Sequence, residues 1–107
     1  MKIREEIKRI YEHFGFANQI MKAREECKEA EESMRNYHFG VVLNVDPLEQ
    51  AADREHMIEE MADAWIMFQQ MIYALSAEDD FDEKVEEKIQ RTLVRMKEGF
   101  YAGQLRS

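Results

Sequence analysis

Two short acidic clusters carry the residues best suited to chemistry, Glu25-Glu26-Cys27-Lys28-Glu29 and Glu59-Glu60-Met61-Ala62-Asp63. Each lies in a stretch patterned as helix, where side chains three residues apart stand one above the other. Glu26 with Glu29, and Glu60 with Asp63, therefore form two edges of paired carboxylates. Like charges at that spacing are mildly destabilising on a solvated helix and far more so when packing turns them inward. A bound cation would offset that cost. With no cysteine or histidine at ligand spacing, four carboxylates favour a hard, oxygen-seeking ion, Mg2+ or Mn2+, over zinc. Either cluster alone reads as an ordinary solvated helix face. Together they gain weight, because both adjoin small residues, Ala23, Ala30 and Ala64, where two backbones can approach closely enough for four carboxylates to share one ion.

Competing chemistries find less support. Di-iron carboxylate bundles use Glu-x-x-His pairs, whereas the residues three after Glu26 and Glu60 are Glu29 and Asp63. Asp53 and His56 form an isolated DxxH without a counterpart in the earlier cluster, and are expected as a helix N-cap and a partly exposed histidine. The sequence contains no Gly-rich phosphate loop, nucleophile elbow or plausible Cys-His pair.

The elements that must position the carboxylates follow from apolar periodicity. Ile3, Ile7, Ile10, Tyr11 and Phe14 predict a first helix from Lys2 to about His13, broken at Gly15. A second helix is expected from Phe16 to Arg35, with Phe16, Ile20, Ala23, Cys27, Ala30 and Met34 as its packing seam. Rotation of about 100° per residue gathers Gln19, Lys22, Glu26 and Glu29 on a half-buried flank of that seam. From Asn36 to Ala52 the pattern is interrupted by Gly40, Asn44, Asp46 and Pro47, which predicts a long loop. A third helix is expected from Asp53 to Ser76, with a seam of Met57, Met61, Ala64, Phe68, Met71 and Leu75. Its carboxylates repeat those of the second helix at an offset of 34 residues, so the two helices present matching acidic flanks. Ile58, Trp65, Ile66, Ile72 and Tyr73 add apolar surface elsewhere on it, so it is expected to be central or shared with a second subunit. Its methionines Met57, Met61, Met67 and Met71, with Trp65 and Phe68, are read as core rather than as a base-stacking surface. After Glu78-Asp79-Asp80, whose aspartates can cap a helix, Val85, Ile89, Leu93 and Met96 mark a fourth helix ending near Gly99; the tail Phe100 to Ser107 gives little signal.

A chain of 107 residues fits a single domain, 1–107, for which oligomerisation would add usefully to a modest core. Its net charge of -8 opposes general binding to nucleic acid or to anionic membrane, since the long-range field repels polyanions. Cys27 is the single cysteine, which suits a reducing compartment and a small apolar role. No stretch approaches the roughly 18 consecutive apolar residues of a membrane span, and the start Met1-Lys2-Ile3-Arg4-Glu5-Glu6 lacks a signal-peptide apolar region. A soluble, cytoplasmic protein is the expectation.

The pattern Gln19-x-x-Lys22-x-x-Glu25-Glu26-x-x-Glu29, followed by Glu59-Glu60-x-x-Asp63 and a basic fourth helix, resembles the MazG-like nucleotide pyrophosphohydrolases over roughly Phe16 to Lys97. The resemblance rests on the combination of EExxE, EExxD and the preceding Gln and Lys. It implies an all-α, four-helix-bundle-like fold completed by homo-oligomerisation, as a homodimer or homotetramer. It further implies a Mg2+-dependent enzyme that cuts a nucleoside triphosphate between its α and β phosphates. Carried over, Glu26, Glu29, Glu60 and Asp63 would be the metal ligands and Gln19 a further substrate contact. Glu25 and Glu59 are candidates for a general base or for orienting water, each equally readable as solvated. Lys22 can pair with Glu26 or reach a substrate phosphate. Lys88, Arg91 and Arg95 make a basic edge on the fourth helix, suited to phosphate contact or to surface ion pairs with Glu87 or Glu98. Phosphoribosyl-ATP pyrophosphatases share similar acidic motifs, and the interval between the two clusters is longer than in the simpler members. From a different class, a non-catalytic helical module dimerising through its Met-rich third helix would use the carboxylates only for solvation or a structural ion.

Overall fold

Every periodic stretch becomes a helix in the computed structural model, which describes residues 1–99; the tail Phe100 to Ser107 lies outside the described residues. The four helices are α1 (Glu5–Phe14), α2 (Phe16–Val42), α3 (Pro47–Ala74) and α4 (Glu78–Lys97), and no strand occurs among the described residues. The protein is all-helical. Ile3–Ser76, with α1 to α3, forms one compact unit; Met1–Lys2 and the segment from Ala77, with α4, form another.

The expected loop from Asn36 to Ala52 is instead almost entirely helical. α2 continues to Val42 and α3 begins at Pro47, leaving only residues 43–46 between them. The residues that read as breakers are the stop and start signals themselves. Asn44 adopts a left-handed φ of 53°, Asn44 N–H donates to Val41 O and Val45 N–H to Gly40 O, which satisfies the last carbonyls of α2. Asp46 then caps α3 by accepting from Leu48 N–H at 2.7 Å, with Pro47 in the first turn where its missing N–H costs nothing. Gly40 sits inside the helix because the turn folds back onto it. A Cβ there would lie 3.3 Å from Val45 Cγ2 and 3.4 Å from Asp53 Oδ2. Asp53 is thus in the body of α3, and not its cap. Nor do Asp79 and Asp80 cap α4, whose N-cap is Ala77; they lie in its first turn, where acidic residues favour the helix dipole.

So short a turn makes α2 and α3 an antiparallel hairpin. Gln19, near the start of α2, hydrogen-bonds Gln70, near the end of α3, while Gly40 meets Asp53 at the other end. α1, released by Gly15 at φ 83°, packs on both helices with Ile7 buried and Tyr11 half-buried, and Ile3 is buried just ahead of it. Tyr11 meets Tyr73 of α3 edge-on at 5.7 Å, Lys8 lies over the same ring, and the Tyr73 hydroxyl donates to Glu12. α3 therefore contacts both of its neighbours in this unit.

The seam between α2 and α3 runs along a different line from the apolar one. Its buried positions on α2 are Gln19, Glu26, Ala30, Ser33 and Gly40, each seven residues apart save Ala30, and on α3 they include Ala64, Met67 and Gln70. Phe16, Ile20 and Met34 of the expected seam are exposed, as are Met61, Phe68 and Leu75. The core reading of the α3 residues holds for Met67, partly for Met57 and Met71, and fails for Met61, Phe68 and Trp65. The physical reason lies in size. Ala30 and Ala64 let the backbones close on a line beside the bulky row, which draws in the small and polar neighbours and turns the large apolar ones outward.

Candidate metal centre and adjoining cleft

This shifted seam carries the acidic edges inward. Glu26 is only 7% exposed, and Glu60 is half-buried. Because α2 and α3 run antiparallel, the 34-residue offset becomes an approximate two-fold relation, which sets Glu26 beside Asp63 and Glu29 beside Glu60. One carboxylate oxygen from each of Glu26, Glu60 and Asp63 lies within 4.8 Å of the others. The fourth carboxylate, Glu29, is exposed at the margin. The negative charge of Glu26, then partial desolvation and then Glu60 push its carboxyl above the ordinary value.

The polar accounting of the two central carboxylates is asymmetric. Glu26 Oε1 pairs with Lys22 Nζ at 3.2 Å, and Glu60 Oε1 lies 3.8 Å from His56 Nδ1, both one turn earlier on the same helix. The hydrogen bond to Glu26, reinforced by its charge, raises the Lys22 pKa. Glu26 Oε2 and Glu60 Oε2 are buried and accept nothing, the two side-chain atoms of that kind among the described residues. A buried carboxylate oxygen without a donor is costly. The fit to a hard cation follows from that. An octahedral Mg2+ site has ligand oxygens up to about 4.2 Å apart across the ion, and a trio confined within 4.8 Å needs only small side-chain adjustment to match it.

A cleft of about 630 Å³ opens from this centre, a size suited to a small-molecule ligand. Lys22, Glu26 and Asp63 line its charged end. Ile10 and Phe14 of α1 and Ile66 and Met67 of α3 form apolar walls, and Asn18, Gln19 and Gln70 supply amides between them.

The expected residues divide accordingly. Glu26, Glu60 and Asp63 converge, Glu29 borders them, Lys22 holds Glu26, and Gln19 is buried in the cleft floor against Gln70. Glu25 and Glu59 are exposed beside the trio rather than in it. Lys88, Arg91 and Arg95 lie on α4 in the other unit, Lys88 and Arg91 exposed and Arg95 half-buried. Periodicity alone overlooked the cleft walls and Gln70, although paired Gln69 and Gln70 in an apolar stretch of α3 are a visible anomaly. It also undervalued His56, which the 34-residue offset pairs with Lys22. No helix among the described residues is long and apolar enough to cross a membrane. No model of a known protein family matches the chain, and neither the curated proteins nor the solved structures return a match to it.

Proposed function

We propose that the chain is a Mg2+-dependent nucleoside triphosphate pyrophosphohydrolase of the MazG type, which converts an NTP or dNTP to the monophosphate and pyrophosphate. The observation that carries this reading is the pair of buried, unpartnered oxygens, Glu26 Oε2 and Glu60 Oε2, converging with Asp63 at the head of a nucleotide-sized cleft. An acidic site can receive a polyanionic substrate only through a cation. When bound, Mg2+ (or Mn2+) would offset the triphosphate charge and polarise its phosphoryl oxygens. Glu26, Glu60 and Asp63 would hold it, with Glu29 completing the set.

The protein's own groups then have distinct tasks. Lys22 fixes the orientation of Glu26 and has a charged ammonium at the cleft mouth for a phosphate oxygen. Ile10, Phe14, Ile66 and Met67 offer apolar surface to the rest of the nucleotide. A water oxygen bonds to phosphorus, the bridging P–O bond between α and β phosphates breaks, and pyrophosphate leaves with the electron pair. The proton released from water goes to a carboxylate at the margin, for which Glu25 and Glu59 are the exposed candidates.

Homo-oligomerisation belongs to the same reading. Cys27, Met34, Met61, Trp65 and Phe68 line an apolar depression on one side of the α2–α3 hairpin, with Ala30 and Ala64 of the seam between them, and Trp65 is 57% exposed. Contiguous apolar surface of this kind is suited to burial against a second copy.

The test is product analysis. Purified protein with Mg2+ and a panel of unmodified and modified NTPs and dNTPs should release pyrophosphate and monophosphate in equal amounts, and Glu60→Gln should not. Release of single orthophosphates would overturn the assigned bond. Inactivity across the panel, with no Mg2+-dependent rise in melting temperature, would favour the non-catalytic helical module.

A further inference from the structure

The residues lining the cleft are graded in character along its length. On α2, Asn18, Lys22 and Glu26 stand at successive turns, so an amide, an ammonium and a carboxylate follow one another over about 12 Å. Phe14, the last residue of α1, continues the series across the Gly15 corner. Its backbone carbonyl accepts from Asn18 Nδ2 at 2.8 Å, which ties the end of α1 to the start of α2. The apolar stripe of α1 changes task as it nears that corner. Ile7 is buried, whereas Ile10 and Phe14, one turn apart, line the cleft and are 41% and 52% exposed. Phe14 is the one aromatic residue on the cleft among the described residues, and Ile66 and Met67 of α3 supply further apolar surface. The cleft therefore runs from an aromatic, apolar end to a charged one.

We infer that Phe14 is the stacking platform for the base and a specificity-determining residue, so that the nucleotide lies with its base against the end of α1, its ribose level with Asn18, and its phosphates reaching past Lys22 to the carboxylates. This rests on the nucleotide reading of the cleft and deepens it. A base-free polyphosphate would satisfy a metal ion and Lys22 as well as a nucleotide does, and nothing at the charged end tells the two apart. The distinction has to come from the other end, where an exposed aromatic face gains by covering the π-face of a base. Ile10 extends that surface by one turn of the same helix. The metal centre is thus built by the α2–α3 hairpin, and recognition of a nucleoside by α1.

Calorimetric binding in the presence of Mg2+ tests this without turnover, by comparing the α,β-methylene analogues of ATP, GTP, CTP and UTP with bis(methylene) triphosphonate, which carries the phosphates alone. Wild-type protein should bind the best of the four analogues more tightly than the base-free ligand by about 5-fold to 150-fold, the range that stacking one base on one aromatic side chain provides. Phe14→Ala should remove most of that gap by weakening the nucleotide analogue, with binding of the base-free ligand and the Mg2+-dependent rise in melting temperature kept. Phe14→Tyr, which retains the ring, should retain the gap. Should circular dichroism show that Phe14→Ala does not fold, Ile10→Ala should narrow the same gap by a smaller factor. Equal binding of nucleotide and base-free ligands by the wild type overturns the inference and leaves the metal–phosphate reading standing. A folded Phe14→Ala that weakens both ligands equally, or neither, overturns the role of Phe14. A gap that Phe14→Ala removes, without pyrophosphate release from NTPs, would support the inference and remove the assigned reaction, whereas absence of binding by every ligand would remove both.

Discussion

The inner and outer faces of the α2–α3 hairpin reverse the usual division of labour in a helical protein. Between the helices lie Gln19, Glu26, Ser33, Gln70 and the edge of Glu60, with Ala30, Ala64 and Met67 as the apolar fill. On the outer side, Met34, Met61, Trp65 and Phe68 are exposed around a depression whose base is Ala30 and Ala64. A helix pair selected for its own stability would place them the other way round. The inner face gives up cohesion to bring carboxylates together, and the outer face keeps the apolar surface that a second subunit would use. Polar groups in the seam are tolerated where local partners exist: Ser33 Oγ donates to its own Ala30 carbonyl at 2.7 Å, and Gln19 is answered by Gln70. Among the described residues, only Glu26 Oε2 and Glu60 Oε2 are buried side-chain oxygens left without an answer.

The sharpest way to break this contrast is to neutralise the inner face. Glu60→Gln should lower pyrophosphate release by about 100-fold or more and abolish stabilisation by Mg2+, read by thermal melts with and without the ion. Without Mg2+ the same variant should be more stable than wild type by about 1 kcal/mol, since the new amide can donate to Glu26 Oε2 and one buried charge is gone. A variant less stable in both conditions would mean that the carboxylates are structural. On the outer face, if the wild type self-associates in sedimentation velocity, Trp65→Glu combined with Phe68→Glu should sediment as a monomer while keeping its helical circular dichroism. A wild type that sediments as a monomer at micromolar concentration would remove the outer face from the argument.

Smaller effects sharpen rather than break the comparison. Asp46→Ala, far from either face, should cost about 1 kcal/mol through its lost cap, a fall of roughly 4–8 °C in melting temperature, with little change in the metal response. The least is expected from pH. Glu29 has its carboxyl pushed up in the folded state, so the uncharged form is favoured by folding. Its contribution to stability is present below the ordinary carboxylate pKa and is lost as pH rises through the raised one. Metal-free protein should therefore lose a little stability on passing from acid toward neutral pH, and Glu29→Gln should flatten that slope in denaturant titrations. Exposure of Glu29 keeps the effect small.

Much of this arrangement was legible before folding, but not its phase. Helix identity and the pairing of acidic clusters follow from periodicity and from the 34-residue offset, both local properties of the chain. Which stripe of α2 meets α3 does not, because Ala23, Ala30 and Ala64 belong equally to the apolar row and to the acidic one beside it. Choosing Phe16, Ile20 and Met34 as the seam gave each large apolar residue a burial that the close backbone approach denies. The turn was misread for a related reason. Gly40, Asn44, Asp46 and Pro47 are breakers when spread over a window, yet as an ordered series they are one helix end and the next helix start. Gln70 is harder still, since its role depends on a partner 51 residues away.

The turn at residues 43–46 has a consequence for how the chain could change. It fixes the register in which α3 returns along α2, and the site is indexed to that register rather than to any single side chain. One residue added there would rotate α3 by about 100° and carry Glu60 and Asp63 off the face they share with Glu26. An exposed turn that ordinarily would accommodate insertions is, in this hairpin, a length gauge for a carboxylate layer some sixteen residues away on either side.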